Sequence, residues 1–237
     1  MVTEAIILAG GLGTRLREAV PELPKAMAPV AGRPFLAYLM DFLQQNGIRR
    51  VVLAVGYRYQ PIRQFFGSHY GGLDVTYSIE DEPLGTGGAL QRALALVEGE
   101  FAFALNGDTF LRVDYKTFGA MAERRPRLQL GVALCRVADA SRYGSVMVNQ
   151  DRIEGFKARG FSGPGLINAG SYLVNRQILK TYRMPVKFSW EADLLQARVA
   201  ELQPVAFECD GPFIDIGIPE ALAEAQRLIP ELVKAAA

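Results

Sequence analysis

Residues 10–25, GGLGTRLREAVPELPK, bring together residue types suited to holding phosphate. They follow an apolar, strand-like run at residues 5–9. Gly10, Gly11 and Gly13 carry no side chain that would keep a polyphosphate off the backbone, so freed N–H groups can converge on phosphate oxygens. Arg15 supplies a planar cation able to grip phosphate bidentately, and Lys25 a compact point charge. A strand, a glycine turn and two cations predict a nucleoside triphosphate site. Neither of the two common glycine loops accounts for it. The Walker loop ends in Gly-Lys-Ser/Thr, a tripeptide that this chain lacks. The dinucleotide fingerprint needs a third glycine where Leu16 stands, and an acidic ribose ligand where the run 50–55 leads into Gly56 and Tyr57.

Two further segments carry chemistry. Asp108 closes the apolar run that ends Leu105-Asn106-Gly107, which places a carboxylate at a strand's carboxyl end. There it can hold a hard divalent cation; magnesium takes one or two protein carboxylates beside substrate phosphates. The bland alternative is a turn aspartate bonded to its own backbone. Glu80 opens Glu80-Asp81-Glu82-Pro83-Leu84-Gly85-Thr86-Gly87-Gly88, in which glycines would let the backbone lie against a flat ring and Thr86 would cap the next helix. A carboxylate only accepts hydrogen bonds, and guanine's N1–H and amine form a matching donor pair, whereas uracil and thymine offer one donor. Glu80 and Glu82 read equally as solvated charges if the loop binds no base.

The pattern Gly10-Gly11-x-Gly13-Thr14-Arg15-Leu16, followed by Pro24-Lys25, Pro29-Val30 and Arg33-Pro34, resembles the signature of the sugar nucleotidyltransferases (nucleoside-diphosphate-sugar pyrophosphorylases). The resemblance extends from Ile6 to Gly217. It implies transfer of a nucleotidyl group from a nucleoside triphosphate to a sugar 1-phosphate, with pyrophosphate released. It implies nucleotide contacts from Leu8, Ala9, Gly10, Gly11, Gly13, Thr14, Arg15, Glu80, Gly85 and Thr86. Arg15 would face the departing pyrophosphate, Lys25 would bridge the phosphates of both substrates, and Asp108 would bind Mg2+. Phe213-Ile214-Asp215-Ile216-Gly217 resembles the second metal motif, making Asp215 the other ligand. Tyr143-Gly144 and Ile167-Asn168-Ala169-Gly170 resemble sugar-contacting segments, through Gly144 and Asn168. Glu191, in Phe188-Ser189-Trp190-Glu191, would reach a sugar hydroxyl or serve as a favourable charge at a helix start. One departure stands out: where relatives place a Glu-Lys pair, this chain has Lys157, Ala158 and Arg159, so Arg159 would take the sugar phosphate without the glutamate. Glu80, the compact length and the Phe188–Glu191 run most resemble members that transfer GMP to D-glycero-α-D-manno-heptose 1-phosphate for bacterial surface polysaccharide. Mannose 1-phosphate is the nearest rival acceptor, and a catalytically silent nucleotide-sugar sensor is the alternative from another class.

These groups need a frame that carries them to one place. Residues 5–9, 51–55, 75–79 and 101–105 predict strands, and residues 35–46, 60–66 and 87–97 predict helices, the first closed by Gly47. The alternation predicts an α/β fold, a Rossmann-like, mostly parallel mixed sheet flanked by helices, with ligands at the strands' carboxyl ends. Residues 128–137, 145–148, 152–156 and 166–174 predict further strands that extend the sheet; residues 189–201 and 220–228 predict helices, and the alanine tail is expected to fray. A single domain is expected, with residues 1–125 as a nucleotide-binding half and 126–237 as a sugar-binding half.

Composition narrows the alternatives. With 26 basic and 25 acidic residues in 237, the net charge of +1 offers no bulk attraction to nucleic acid or a membrane surface. No apolar run approaches the roughly 20 residues of a membrane span, and no secretory signal is visible, so the chain reads as cytoplasmic. Cys135 and Cys209 are too few for a disulfide framework and read as buried thiols. His69 is the sole histidine, which leaves almost no material for Ser-His-Asp hydrolysis or a His/Cys zinc site. The expected partners are GTP and a sugar 1-phosphate, with a homodimer left open.

Overall fold

The computed structural model describes residues 1–11, 23–160 and 162–234. It opens on β1 (Glu4–Leu8). Next among the described elements come a short 3-10 helix (Lys25–Met27), the hairpin β2 (Pro29–Val30) and β3 (Arg33–Pro34), and helix α1 (Phe35–Gln45). Then follow β4 (Arg50–Val55), α2 (Gln60–Phe66), β5 (His69–Tyr70), β6 (Leu73–Ile79), α3 (Gly85–Leu94) and β7 (Phe101–Asn106). The middle of the chain forms β8 (Thr109–Leu111), α4 (Tyr115–Arg124), β9 (Leu130–Val137), β10 (Val146–Asn149), β11 (Arg152–Phe156) and β12 (Gly165–Asn175). The last part holds α5 (Ile178–Thr181), a π-helix (Trp190–Gln196), α6 (Val199–Leu202), β13 (Val205–Cys209), β14 (Phe213–Asp215) and α7 (Pro219–Lys234).

Among the described residues, ten strands form one sheet in the order β10-β11-β13-β9-β12-β7-β1-β4-β6-β5. Strands β10, β13, β9, β7, β1, β4 and β6 run one way, and only β11, β12 and β5 oppose them. The expected mostly parallel, mixed sheet is therefore what the strand directions give. The sheet separates two cores, as the period-two alternation of a strand buried on both faces requires. Ile7 packs with Leu36, Leu39 and Phe118 on one face, while its neighbour Ile6 packs with Leu90, Leu94 and Trp190 on the other.

Helix α1 ends as its sequence suggests. The N–H of Asn46 bonds the carbonyl of Phe42, and Gly47 takes φ +85°, a left-handed turn that suits glycine. Helix α7 runs past the expected end at residue 228 to Lys234 and passes through Pro230. Leu222, Ala225, Ile229 and Val233 keep one face buried along its whole length, so packing outweighs the lost backbone donor. The expected single helix over residues 189–201 is instead a π-helix and the separate α6. Helix α4 escaped the sequence reading. Asp114 caps α4 through Thr117 N at 3.0 Å, a signal that was present in the sequence.

This architecture sets four loops side by side. Strands β7, β1, β4 and β6 are adjacent and parallel, so Asp108, Gly10, Gly56 and Glu80 all emerge at one edge. The opposite end is tied by Glu4, whose carboxylate accepts from Arg50 Nη1 at 2.9 Å and from the N–H of Gly99 at 2.6 Å. Glu4 is only 7% exposed, so removing it strands the backbone donors of Glu98 and Gly99 and leaves Arg50 with only the exposed Glu98 carboxylate, 2.8 Å away. Glu4→Ala is expected to cost about 3 kcal/mol of stability in a urea titration, far beyond a surface charge deletion.

Candidate active site

Among the described residues, two cavities open along that edge. The first, of about 760 Å³, is lined by Ala9, Gly11, Lys25, Tyr57, Glu80, Thr86 and Asp108, with Leu8, Gly10 and Gly85 also in its wall. The second, of about 650 Å³, is lined by Gly144, Arg159, Asn168, Tyr172, Glu191 and Asp215. Asn106, the last residue of β7, belongs to both. Of the residues singled out in the sequence, Gly13, Thr14 and Arg15 lie outside the described residues. All the others stand in one wall or the other.

The junction is built on charge. Asp108 leaves β7 and β8 follows it; β14 pairs antiparallel with β8, setting Thr109 opposite Asp215. The N–H of Ile216 bonds the carbonyl of Asp108 at 3.0 Å, which fixes the two aspartates against each other. Lys25 Nζ forms an ion pair with Asp108 and stands 4.0 Å from Asp215 Oδ1. Arg142 Nη2 lies 2.8 Å from Asp215 Oδ2, and the N–H of Gly217 donates to Oδ1 at 2.8 Å. A cation thus already sits between two carboxylates drawn from distant parts of the chain. Among the described residues no group of three or more acidic, histidine or cysteine side chains is arranged to hold a metal ion. Two carboxylates, oxygen donors only, with room for phosphate and water oxygens, fit the ligand habit of Mg2+ and not that of zinc.

Glu80 extends from the end of β6 into the first cavity. Its Oε2 accepts from the N–H of Leu84 at 2.9 Å, and burial raises its pKa against the opposing effects of that bond and of Arg92. A Cβ added to Gly10 would lie 3.1 Å from the backbone N of Gly56, tighter than an ordinary contact, while one at Gly11 would meet nothing within 4 Å. Gly10 therefore serves the approach of β1 to the turn after β4, and Gly11 leaves open space on the cavity side. Tyr57 and Arg58, in that same turn, face the cavity, with the Arg58 guanidinium 5.3 Å from the Tyr57 ring centre.

The residues matched to the second cavity are held by one another. Asn168 Nδ2 donates to Tyr172 Oη at 2.9 Å, and its Oδ1 accepts from the N–H of Gly170 at 3.0 Å. Tyr172 Oη donates to Glu191 Oε1 at 3.2 Å. Ser189 caps the π-helix through the N–H of Ala192 at 3.1 Å and places Glu191 in its first turn. Arg159 is exposed at the rim beside Ala158.

Residues 4–231 match the family described as Nucleotidyl transferase. The chain belongs to that family. It is 42% identical over 226 residues to the D-glycero-alpha-D-manno-heptose 1-phosphate guanylyltransferase of Aneurinibacillus thermoaerophilus, covering 94% of this chain and 97% of that protein. The protein of the same name from Campylobacter jejuni is 41% identical, over 92% of this chain and 96% of the relative. The crystal structure of HddC from Yersinia pseudotuberculosis complexed with GMP-PN superposes with a TM-score of 0.83 at 34% identity, covering 95% of this chain and 98% of that one.

In this nucleotidyl transferase two details differ from the sequence reading. Thr86 does not cap α3, for which Leu84 is the N-cap residue with no side-chain bond. Its hydroxyl turns away, donating to Glu191 Oε2 at 2.8 Å and accepting from the N–H of Trp190 at 2.9 Å. The glycines beside it also have a different role. A Cβ on Gly87 would lie 2.2 Å from the Phe188 ring, so the flat ring lying against this backbone is the protein's own. Arg142 and Tyr172 were overlooked because neither belongs to a motif: Arg142 is one residue before Tyr143-Gly144, and Tyr172 reads as an ordinary strand aromatic. Among the described residues no helix is long and apolar enough to cross a membrane.

Phe188 is 3% exposed and cannot swing clear of a new methyl group. Gly87→Ala is expected to lower stability by about 2 kcal/mol in chemical denaturation, through overpacking between α3 and the π-helix.

Proposed function

We propose that this nucleotidyl transferase transfers GMP from GTP to D-glycero-α-D-manno-heptose 1-phosphate, forming GDP-heptose and pyrophosphate. The observation that carries the reading is the charge junction where the two cavities meet. Asp108 lines the first, Asp215 lines the second, and Lys25 stands between them. A phosphate joining two substrates, one in each cavity, has to pass that point. The identity of 41–42% to heptose 1-phosphate guanylyltransferases over nearly the whole chain supports the choice of base and of sugar.

On this reading GTP lies in the first cavity with guanine toward Glu80 and its phosphates along Gly10 and Gly11. The sugar phosphate occupies the second, between Asn168, Glu191 and Arg159. Its phosphate oxygen attacks the α-phosphorus in line, and pyrophosphate departs on the opposite side. A phosphate monoester with a second pKa near ~6 is already ionised at neutral pH, so no general base is needed. That suits a chain with one histidine, exposed and far along the sheet at β5. Lys25 orients the phosphates and offsets their charge, and Asp108 and Asp215 would hold Mg2+. The ion, when bound, neutralises phosphate charge as it shifts toward the leaving group. Catalysis is then alignment and electrostatics.

Ala158, standing where relatives carry a glutamate, leaves room beside the second cavity for the extra carbon of a heptose. The deciding experiment offers the protein a panel of nucleoside triphosphates and sugar 1-phosphates and follows pyrophosphate release. GTP with heptose 1-phosphate is expected to exceed every other pair, and Glu80→Ala to narrow the GTP-to-UTP ratio by roughly 10² or more. Faster use of mannose 1-phosphate would overturn the sugar assignment and leave guanylyl transfer standing. An unchanged ratio in Glu80→Ala would show that backbone groups read the base.

The junction generates a second expectation. Asp108→Asn and Asp215→Asn should each reduce kcat by roughly 10² to 10³ while leaving the unfolding midpoint within a few degrees. Excess EDTA should do the same to the parent protein, and restored Mg2+ should reverse it. Full turnover in EDTA would remove the metal from the mechanism.

A further inference from the structure

The hydrogen bonds that hold Glu191 run unbroken from one cavity to the other, and each has a definite direction. Trp190 N–H donates to Thr86 Oγ1 at 2.9 Å, and the single Thr86 proton goes to Glu191 Oε2 at 2.8 Å. From the other side, Asn168 Nδ2 donates to Tyr172 Oη at 2.9 Å, and the single Tyr172 proton goes to Glu191 Oε1 at 3.2 Å. Thr86 faces the nucleotide cavity and is exposed; Glu191, Asn168 and Tyr172 face the sugar cavity. Both carboxylate oxygens are therefore occupied by hydroxyl donors of the protein itself. Tyr172 is 1% exposed, and burial together with the neighbouring Glu191 charge holds its phenol protonated, so that donor stays in place at any working pH. Thr86 is the only one of the two hydroxyls that a nucleotide can reach.

We propose that Thr86 is a positioning residue that couples the two substrate sites, releasing Glu191 Oε2 to a sugar hydroxyl when a bound nucleotide draws the Thr86 hydroxyl to itself. The inference rests on the assignment of the two cavities to nucleotide and sugar phosphate. A hydroxyl has one proton to donate, so the bond from Thr86 to Glu191 and a bond from Thr86 to a nucleotide oxygen exclude each other. The freed carboxylate oxygen, half-buried in the wall of the sugar cavity, is then open to a sugar hydroxyl as donor. Coupling of this kind is reciprocal: each ligand tightens the other by the same factor.

The chain reports on this network directly. Trp190 is its one tryptophan, fully buried, with its backbone N–H on Thr86 and its ring 6.0 Å from that of Tyr172 at 73°. Trp190 fluorescence is titrated with heptose 1-phosphate, with and without a GTP analogue whose α–β bridge is a methylene and which transfers nothing. In the parent protein the analogue is expected to lower the sugar phosphate's Kd by about fivefold or more, with the reciprocal effect equal in size. Thr86→Val should bring that ratio close to one without weakening sugar binding alone, because Oε2 is then open throughout; Thr86→Ser should retain it. Tyr172→Phe, which opens Oε1 instead, should also pull the ratio toward one and provides a second reading should either variant be unstable. A merely structural Thr86 would weaken sugar binding in Thr86→Val and leave the ratio untouched. That result, or a parent ratio of one, overturns the proposal. If the parent binds mannose 1-phosphate and not heptose 1-phosphate, the sugar assignment alone falls, and the same ratio read with mannose 1-phosphate decides the coupling.

Discussion

Two carboxylates facing each other at close range repel unless a cation is fixed between them, and this constraint organises the whole edge of the sheet. Asp108 and Asp215 are brought together by the short pairing of β8 with β14 and by the backbone bond from Ile216 to Asp108. Lys25 and Arg142 balance their two negative charges with two positive ones. Lys25 can do so because it opens a tight 3-10 turn, clamped by the bond from Met27 N–H to the Pro24 carbonyl at 2.8 Å. Four stretches of chain thus depend on one charge balance.

The sheet serves this junction by being stiff and two-sided. Its central strands are buried on both faces, and their tips cannot move without disturbing one core or the other. Gly10 at the tip of β1 and the turns after β4 and β6 therefore keep a fixed spacing from Asp108. Beside the second cavity, β12 departs from regular register between Asn168 and Tyr172, where Gly170 takes φ +69°. Asn168, the last paired residue before that break, reaches across it to Tyr172 Oη. The π-helix makes a similar departure and presents Glu191 to the same tyrosine. Both irregularities lie beside the second cavity, where regular structure would have aimed these side chains elsewhere.

Much of this was legible in the residues themselves. Strand and helix period, the closing Gly47 and the order of elements in the first half follow from local pattern, because each element there buries a face set by its own sequence. The glycine loop and the aspartates stood out because their types and spacing suit phosphate and magnesium. Local pattern failed where distant segments competed for the same groups. Thr86 has the chemistry of a cap, but Glu191 and the Trp190 backbone offered it partners more than a hundred residues away. The glycines around it read as space for a base, and the ring that fills the space at Gly87 belongs to Phe188.

By itself the amino-acid sequence determined the α/β class, the parallel first half, the glycine loop and the identities of the charged groups, since these depend on residue type and short-range period. Only the tertiary structure decided that Arg142 shares Asp215 with Lys25, that Tyr172 stands between Asn168 and Glu191, and that Thr86 in the wall of the first cavity bonds Glu191 in the wall of the second. Those relations arise from β8 meeting β14 and from α3 meeting the π-helix. Such meetings are set by burial of two cores and by the need of each buried polar group for a partner, and neither leaves a mark at any fixed spacing along the chain.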